Sequence, residues 1–188
     1  MLLQVKCSTD LPFELFMTKV LNHDQIKKEI LQAIKLQGSY SFINDAQCIS
    51  NTDWHLSSSF NRPYIEVTRF VILEHLENLR KHFNYDAVKL TNYWFQQYKK
   101  GDYHSEHTHS GCSFSNIYYV DLDKNSPKTN FSYKGKFYSV DVEEGNILTF
   151  PSFLIHFSPE NKSNHIKTVI SFNADAIRDP SKIHPSYK

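Results

Sequence analysis

The hydrophobic period of this chain changes once, near residue 86, and that change limits the folds open to it. Before it, apolar residues recur at helical spacing. Ile26, Ile30 and Ile34 stand four apart, with Asn22 and Gln25 placed for a capping box and Gly38 as a stop. A second helix is predicted from Pro63, a good first-turn residue, with Ile65, Ile72, Leu76, Leu79 and Phe83 on one face. Residues 38–61, between the helices, are rich in Ser, Asn and Asp and read as mostly irregular. After residue 86 the period is two. The stretches 88–99, 113–122, 128–133, 136–142, 146–150, 153–158 and 166–173 are short and rich in Tyr, Phe, Val, Ile and Thr. Turn residues such as Lys100-Gly101-Asp102 and Glu144-Gly145-Asn146 separate them. The pattern predicts a mostly β chain, an antiparallel sandwich or jelly roll with α-helices packed along one outer face.

At 188 residues the chain is read as a single domain: a helical support over 1–86, a jelly-roll core over 87–175 and a tail over 176–188. Its 14 Phe, 11 Tyr and 2 Trp argue against disorder. A formal charge of +1 argues against an overall nucleic-acid binder, and no apolar run approaches the roughly 20 residues of a membrane span. Cys7, Cys48 and Cys112 are odd in number and far apart, so they read as free thiols of a reducing compartment, which points to the cytoplasm. Phosphate-binding glycine loops, nucleophile elbows and paired cysteines are missing, and five glycines are few for dinucleotide binding. Trp54 and Trp94 read as packing residues, and Arg62, Arg69 and Arg80 as a solvated helix face.

Histidine is the unevenly distributed residue. His104, His107 and His109 fall within six positions. On an extended chain i and i+2 share a face about 6.6 Å apart, so His107 and His109 project together and two imidazoles can converge on a metal ion. A regular strand would turn His104 the other way. His156 lies in the apolar run Phe150 to His156, where a lone histidine is usually a satisfied core residue; Lys167, eleven positions on, changes that reading. Alternation places Ile166, Thr168, Ile170 and Phe172 on one face of the last strand and Lys167, Val169, Ser171 and Asn173 on the other. If outer helices cover the first set, the Lys167 ammonium points inward. An enclosed charge needs an anionic partner, and no strand offers an evident carboxylate on that face, so the partner is expected to be a ligand.

His107-x-His109, then His156, then a basic residue eleven positions later resembles the Fe(II)- and 2-oxoglutarate-dependent oxygenase superfamily, specifically a small bacterial and phage branch. Gly101-Asp102-Tyr103, Ser115 through Val120, Gly145 through Ser152 and Lys167 through Asn173 match that branch in order and spacing, over roughly residues 90–173. The resemblance implies a double-stranded β-helix, cupin-like fold and a hydroxylase that couples decarboxylation of 2-oxoglutarate to C–H oxidation by O₂ at Fe(II). It implies His107, His109 and His156 as metal ligands and Lys167 as the cation for the distal carboxylate of 2-oxoglutarate. Ser171 and Asn173 would line the cosubstrate pocket, and Tyr118 or Tyr119 would offer it a phenol. His109 departs from the pattern, because it stands where the superfamily usually has a carboxylate. The alternative first pair is His104-Ser105-Glu106.

Two rivals accompany this reading. One is a three-histidine, cupin-type metal dioxygenase that uses no 2-oxoglutarate. The other is a non-catalytic jelly roll that binds a ligand or partner. The substrate, whether small molecule or protein side chain, is not legible, although loops 38–61, 100–113 and 124–136 are placed to shape the mouth. Exposed strand edges permit a homodimer.

Overall fold

A computed structural model describes residues 1–5, 11–57 and 59–179; Cys7 and most of the expected tail lie outside the described residues. The elements in order are β1 (Leu2–Val5), β2 (Phe16–Val20), α1 (His23–Gln37), β3 (Phe42–Asn44), β4 (Gln47–Ile49), β5 (Asn51–Thr52) and α2 (Tyr64–His82). There follow β6 (Ala87–Tyr98), β7 (Tyr103–His107), β8 (Phe114–Asp121), β9 (Asn130–Tyr133), β10 (Lys136–Ser139), β11 (Asn146–Pro151), β12 (Ile155–Ser158) and β13 (Lys167–Ile177). A seven-stranded sheet runs β1-β2-β11-β8-β13-β6-β5 and a six-stranded sheet runs β10-β9-β12-β7-β4-β3. All their pairings are antiparallel. This is the jelly-roll arrangement that the period-two stretches predict.

The larger sheet is covered on one face by the helices and on the other by the smaller sheet, so two cores form. Ile30, Ile34, Tyr64, Ile72, Leu76 and Leu79 of the helices meet Phe95, Tyr118, Ile147, Ile170 and Phe172 in the first. Met17, Tyr119, Phe131, Leu148, Phe150 and Val169 fill the second, between the sheets. Each fully buried side chain of this size contributes roughly 1.5–3 kcal/mol. On β13 the alternation is strict: Ile170, Phe172 and Ala174 face the helices while Val169 faces the sheet–sheet interior. That parity turns Lys167 inward.

One polar chain crosses the helix-facing core. Thr18 Oγ1 donates to His75 Nδ1 at 2.8 Å, His75 Nε2 donates to Thr149 Oγ1 at 2.7 Å, and Thr149 passes its own hydrogen to Asn116 Oδ1. Both ring nitrogens of His75 are thus used, and burial holds its pKa down at about 3.

Three local expectations need correction and one needs refinement. The 1–86 segment is not only helical, because β1 and β2 extend the larger sheet through pairing of β2 with β11. Residues 38–61 are mostly irregular as expected, but they also carry β3, β4 and β5, strands of only two or three residues that take their order from β6 and β7 beside them. The Asn22 side chain makes no capping bond, and the first turn of α1 is held by its backbone carbonyl instead. Arg62 is buried, not solvated: its Nε pairs with Asp53 Oδ2 at 2.8 Å, and its other nitrogens donate to the carbonyls of Asp53, Leu56, Ser57 and Phe60. Among the described residues, no helix is long and apolar enough to cross a membrane.

Candidate metal centre and its two cavities

The smaller sheet brings the histidines together. His107, at the end of β7, is the direct cross-strand partner of His156 on β12, and such partners lie about 4.5–5.5 Å apart. His109 follows β7, fixed by its backbone N–H to Ser152 O at 3.0 Å. One ring nitrogen from each of His107, His109 and His156 lies within 4.8 Å of the other two. Phe131 and Phe150 close the apolar side of the cluster, with Phe150 4.5 Å from His156 between ring centroids.

Hydrogen bonding sets the direction of all three rings. His107 Nδ1 faces Ser105 O at 2.8 Å and His156 Nδ1 faces Leu154 O at 3.0 Å. A carbonyl only accepts, so each Nδ1 carries the proton and donates it. His109 Nδ1 likewise donates to Asn173 Oδ1 at 2.8 Å, with Ser115 Oγ 3.0 Å away. In every case Nε2 keeps its lone pair, the tautomer a metal ligand requires. Burial, ahead of all other causes, pushes the three imidazoles down, His107 to about 4 and His156 well below its usual value, so they are neutral near pH 7. Three neutral nitrogen donors suit a divalent transition metal, iron included.

Lys167 lies in the same interior, 1% exposed. Its Nζ donates to Ser158 Oγ at 2.9 Å and sits 4.9 Å from the centroid of the Tyr98 ring. No carboxylate pairs with it among the described residues, and burial alone lowers its pKa to about 7. An inner cavity of about 40 Å³ joins Lys167, Ser158 and Thr129 to the histidines. That volume holds roughly three waters. It shares the walls Trp94, Gln96, His104, His107 and His109 with an outer cavity of about 380 Å³, into which a longer ligand would extend.

The expected cosubstrate residues do not share one wall. Ser171 lines the inner cavity, with Oγ on Gln96 Oε1 at 3.0 Å, and Asn173 lines the outer one while holding His109. Tyr118 is on the wrong face: it belongs to the helix-facing core, where its hydroxyl lies 2.8 Å from His23 Nδ1. Tyr119 faces the interior but spends its hydroxyl on Thr129 Oγ1 at 2.8 Å. Glu106 is exposed, outside the group of converging ligand atoms, so the His104-x-Glu106 alternative is not assembled.

His104 does not turn away as a regular strand would require. Between the pairs His156–His107 and Ser158–His104, β12 advances two residues and β7 three. This bulge returns His104 to the cluster side, where its ring stacks on His107 with centroids 3.8 Å apart. Trp54 and Trp94, which read in the sequence as packing residues, are walls of the outer cavity, together with Phe42, Gln47 and Ile49. Loop 38–61 does shape that cavity, through a segment tied down by buried Arg62, whereas 124–136 supplies no residue to it. A bulge in a polar run and an aromatic on a short loop leave no periodic signal.

No protein-family model and no curated protein sequence matches the chain, but solved structures do. It is similar to a viral collagen prolyl hydroxylase from Paramecium Bursaria Chlorella virus-1, solved with 2-oxoglutarate, at 14% identity and TM-score 0.58, over 84% of this chain and 94% of that one. A prolyl-4-hydroxylase from Pseudomonas putida matches at 9% identity and TM-score 0.62, over 89% and 94%. A prolyl hydroxylase from Trichoplax adhaerens, in complex with a hypoxia inducible factor oxygen degradation domain peptide fragment, matches at 12% and 0.64, over 87% and 84%. The chain has the fold of these hydroxylases. The hydroxylase fold agrees with the double-stranded β-helix that the sequence resemblance implies.

Proposed function

We propose that the protein is an Fe(II)- and 2-oxoglutarate-dependent oxygenase, acting as a hydroxylase. One observation carries this reading: three imidazoles with their Nδ1 hydrogens already committed share a cavity with a buried ammonium that has no carboxylate partner among the described residues. When bound, Fe(II), 2-oxoglutarate and O₂ supply the oxidation of a substrate C–H bond, coupled to decarboxylation of 2-oxoglutarate to succinate. His107, His109 and His156 would hold the metal through Nε2, leaving other positions open. Lys167 would neutralise the distal carboxylate, with Ser158 fixing its ammonium and Ser171 and Asn173 on neighbouring walls. Trp94, Phe131 and Phe150 keep the interior apolar, which strengthens each charge interaction inside it.

The substrate, a small molecule or a protein side chain, would enter by the outer cavity, beside Phe42, Trp54 and Trp94. The whole chain would act as one domain in the cytoplasm, consistent with free thiols at Cys48 and Cys112, and the outer edges of the two sheets leave room for a homodimer. Under anaerobic conditions, Fe(II) followed by 2-oxoglutarate should produce a visible metal-to-ligand charge-transfer band that is lost in Lys167→Ala. Three imidazoles without a carboxylate also suit the cupin-type dioxygenase that uses no 2-oxoglutarate. That reading gains if iron binds without the band, Lys167→Ala stays active and no succinate forms.

A further inference from the structure

His104 is packed beside the three-histidine group without belonging to it. The bulge in β7 gives its two histidines different partners across β12. His107 faces His156, at the metal end of the inner cavity, whereas His104 faces Ser158, the residue that accepts the Lys167 hydrogen bond. His104 therefore stands at the ammonium end, and it lines both cavities. Its neighbours have their Nδ1 hydrogens assigned, yet His104 makes no hydrogen bond through either ring nitrogen among the described residues. The ring is only half-buried and borders both cavities, so its N–H is free to donate to a molecule bound there.

We propose that His104 is a binding residue for the anionic cosubstrate, its ring N–H donating to the carboxylate that Lys167 neutralises. The inference rests on the reading of Lys167 given above. A carboxylate accepts about four hydrogen bonds. Lys167 supplies one charged donor. Ser158, whose oxygen already accepts from Lys167, keeps its own hydrogen to give, and His104 supplies the third. The three donors come from β13, β12 and β7, so the carboxylate would be held from three strands at once. Stacking on His107 at an interplanar angle of 15° fixes the ring plane, so the N–H is aimed before the ligand arrives.

The test compares wild type, His104→Ala and His104→Gln, the last retaining an N–H donor. Metal affinity is measured by calorimetry with Co(II). The affinities of the Co(II)-loaded proteins are then measured for 2-oxoglutarate and for 2-oxobutyrate, which chelates in the same way but lacks the distal carboxylate. In His104→Ala, 2-oxoglutarate should bind about 10- to 100-fold more weakly. Metal and 2-oxobutyrate affinities should stay within about twofold, and His104→Gln should recover most of the loss. Unchanged 2-oxoglutarate affinity overturns the proposal. An equal loss for both acids, or a parallel loss of metal, also overturns it by placing His104 at the metal end. If wild type binds metal but not 2-oxoglutarate, the cosubstrate reading itself fails and His104 falls with it.

Discussion

His75 in the helix-facing core and the three histidines between the sheets all have their pKa lowered by burial, but they use their nitrogens differently. In the helix-facing core His75 has both nitrogens engaged, between Thr18 and Thr149. Between the sheets, His107, His109 and His156 each engage Nδ1 alone. The first arrangement is closed and has nothing left to bind. The second leaves three lone pairs converging, at the cost of desolvation that hydrogen bonding only partly offsets. Burial and a depressed pKa therefore do not identify a ligand; uncommitted nitrogens that converge with others do.

Replacing one member of each set breaks the comparison most directly. In His156→Ala, Co(II) affinity should fall by more than the roughly 100-fold typical of a lost supporting contact, while the urea midpoint of the metal-free protein moves less than in His75→Ala. His75→Ala should do the reverse. It leaves Thr18 and Thr149 unpaired beside a new cavity and should cost about 2–4 kcal/mol in urea unfolding, with metal affinity of the folded protein retained. Asn173→Ala sharpens the contrast, since it removes the group that fixes the His109 tautomer without touching a ligand. A 10- to 100-fold loss of metal affinity, read by calorimetry, is expected. The last contrast is in pH dependence, where the change per pH unit is small. His75 has a folded-state pKa of about 3 against an ordinary 6.5, so the unfolded chain takes up the proton first. Its stability contribution is whole above about pH 6.5 and is lost as pH falls toward 3, by at most ~1.4 kcal/mol per pH unit. The stability-versus-pH curve of His75→Leu should be shallower by that amount over the same window.

What was legible in the sequence followed from strict periodicity. Alternation along β13 separated Ile170 and Phe172 from Lys167 and Ser171, which located the inward ammonium and the absence of an acidic partner. The i, i+2 spacing of His107 and His109, and the eleven residues from His156 to Lys167, are likewise properties of extended chain. Parity could not decide the hydroxyl of Tyr119, because a residue on the right face can still spend its polar atom elsewhere. Tyr118 and Tyr119 have opposite parity, so one of the pair had to face the helices. His104 was misplaced because one extra residue in β7 inverts the parity of everything before it. The strands β3 to β5 and the buried Arg62 were missed for another reason: their order comes from partners distant in sequence, not from any pattern of their own.

The position of β13 sets the order in which the centre can be assembled. This strand lies between β6 and β8 in the larger sheet and carries Lys167, Ser171 and Asn173, yet it is the last strand of the described chain. During synthesis β6 and β8 wait, each with an unpaired edge, until residue 177 has been made; pairings this distant in sequence form slowly. The histidines of β7 and β12 are translated earlier, but the side chain that orients His109 is not. A nascent chain therefore holds the three candidate ligands before it holds the geometry that orients them. On the proposed reading the ion would therefore be loaded only once β13 is in place, and a chain truncated before β13 would present loose histidines and open sheet edges together.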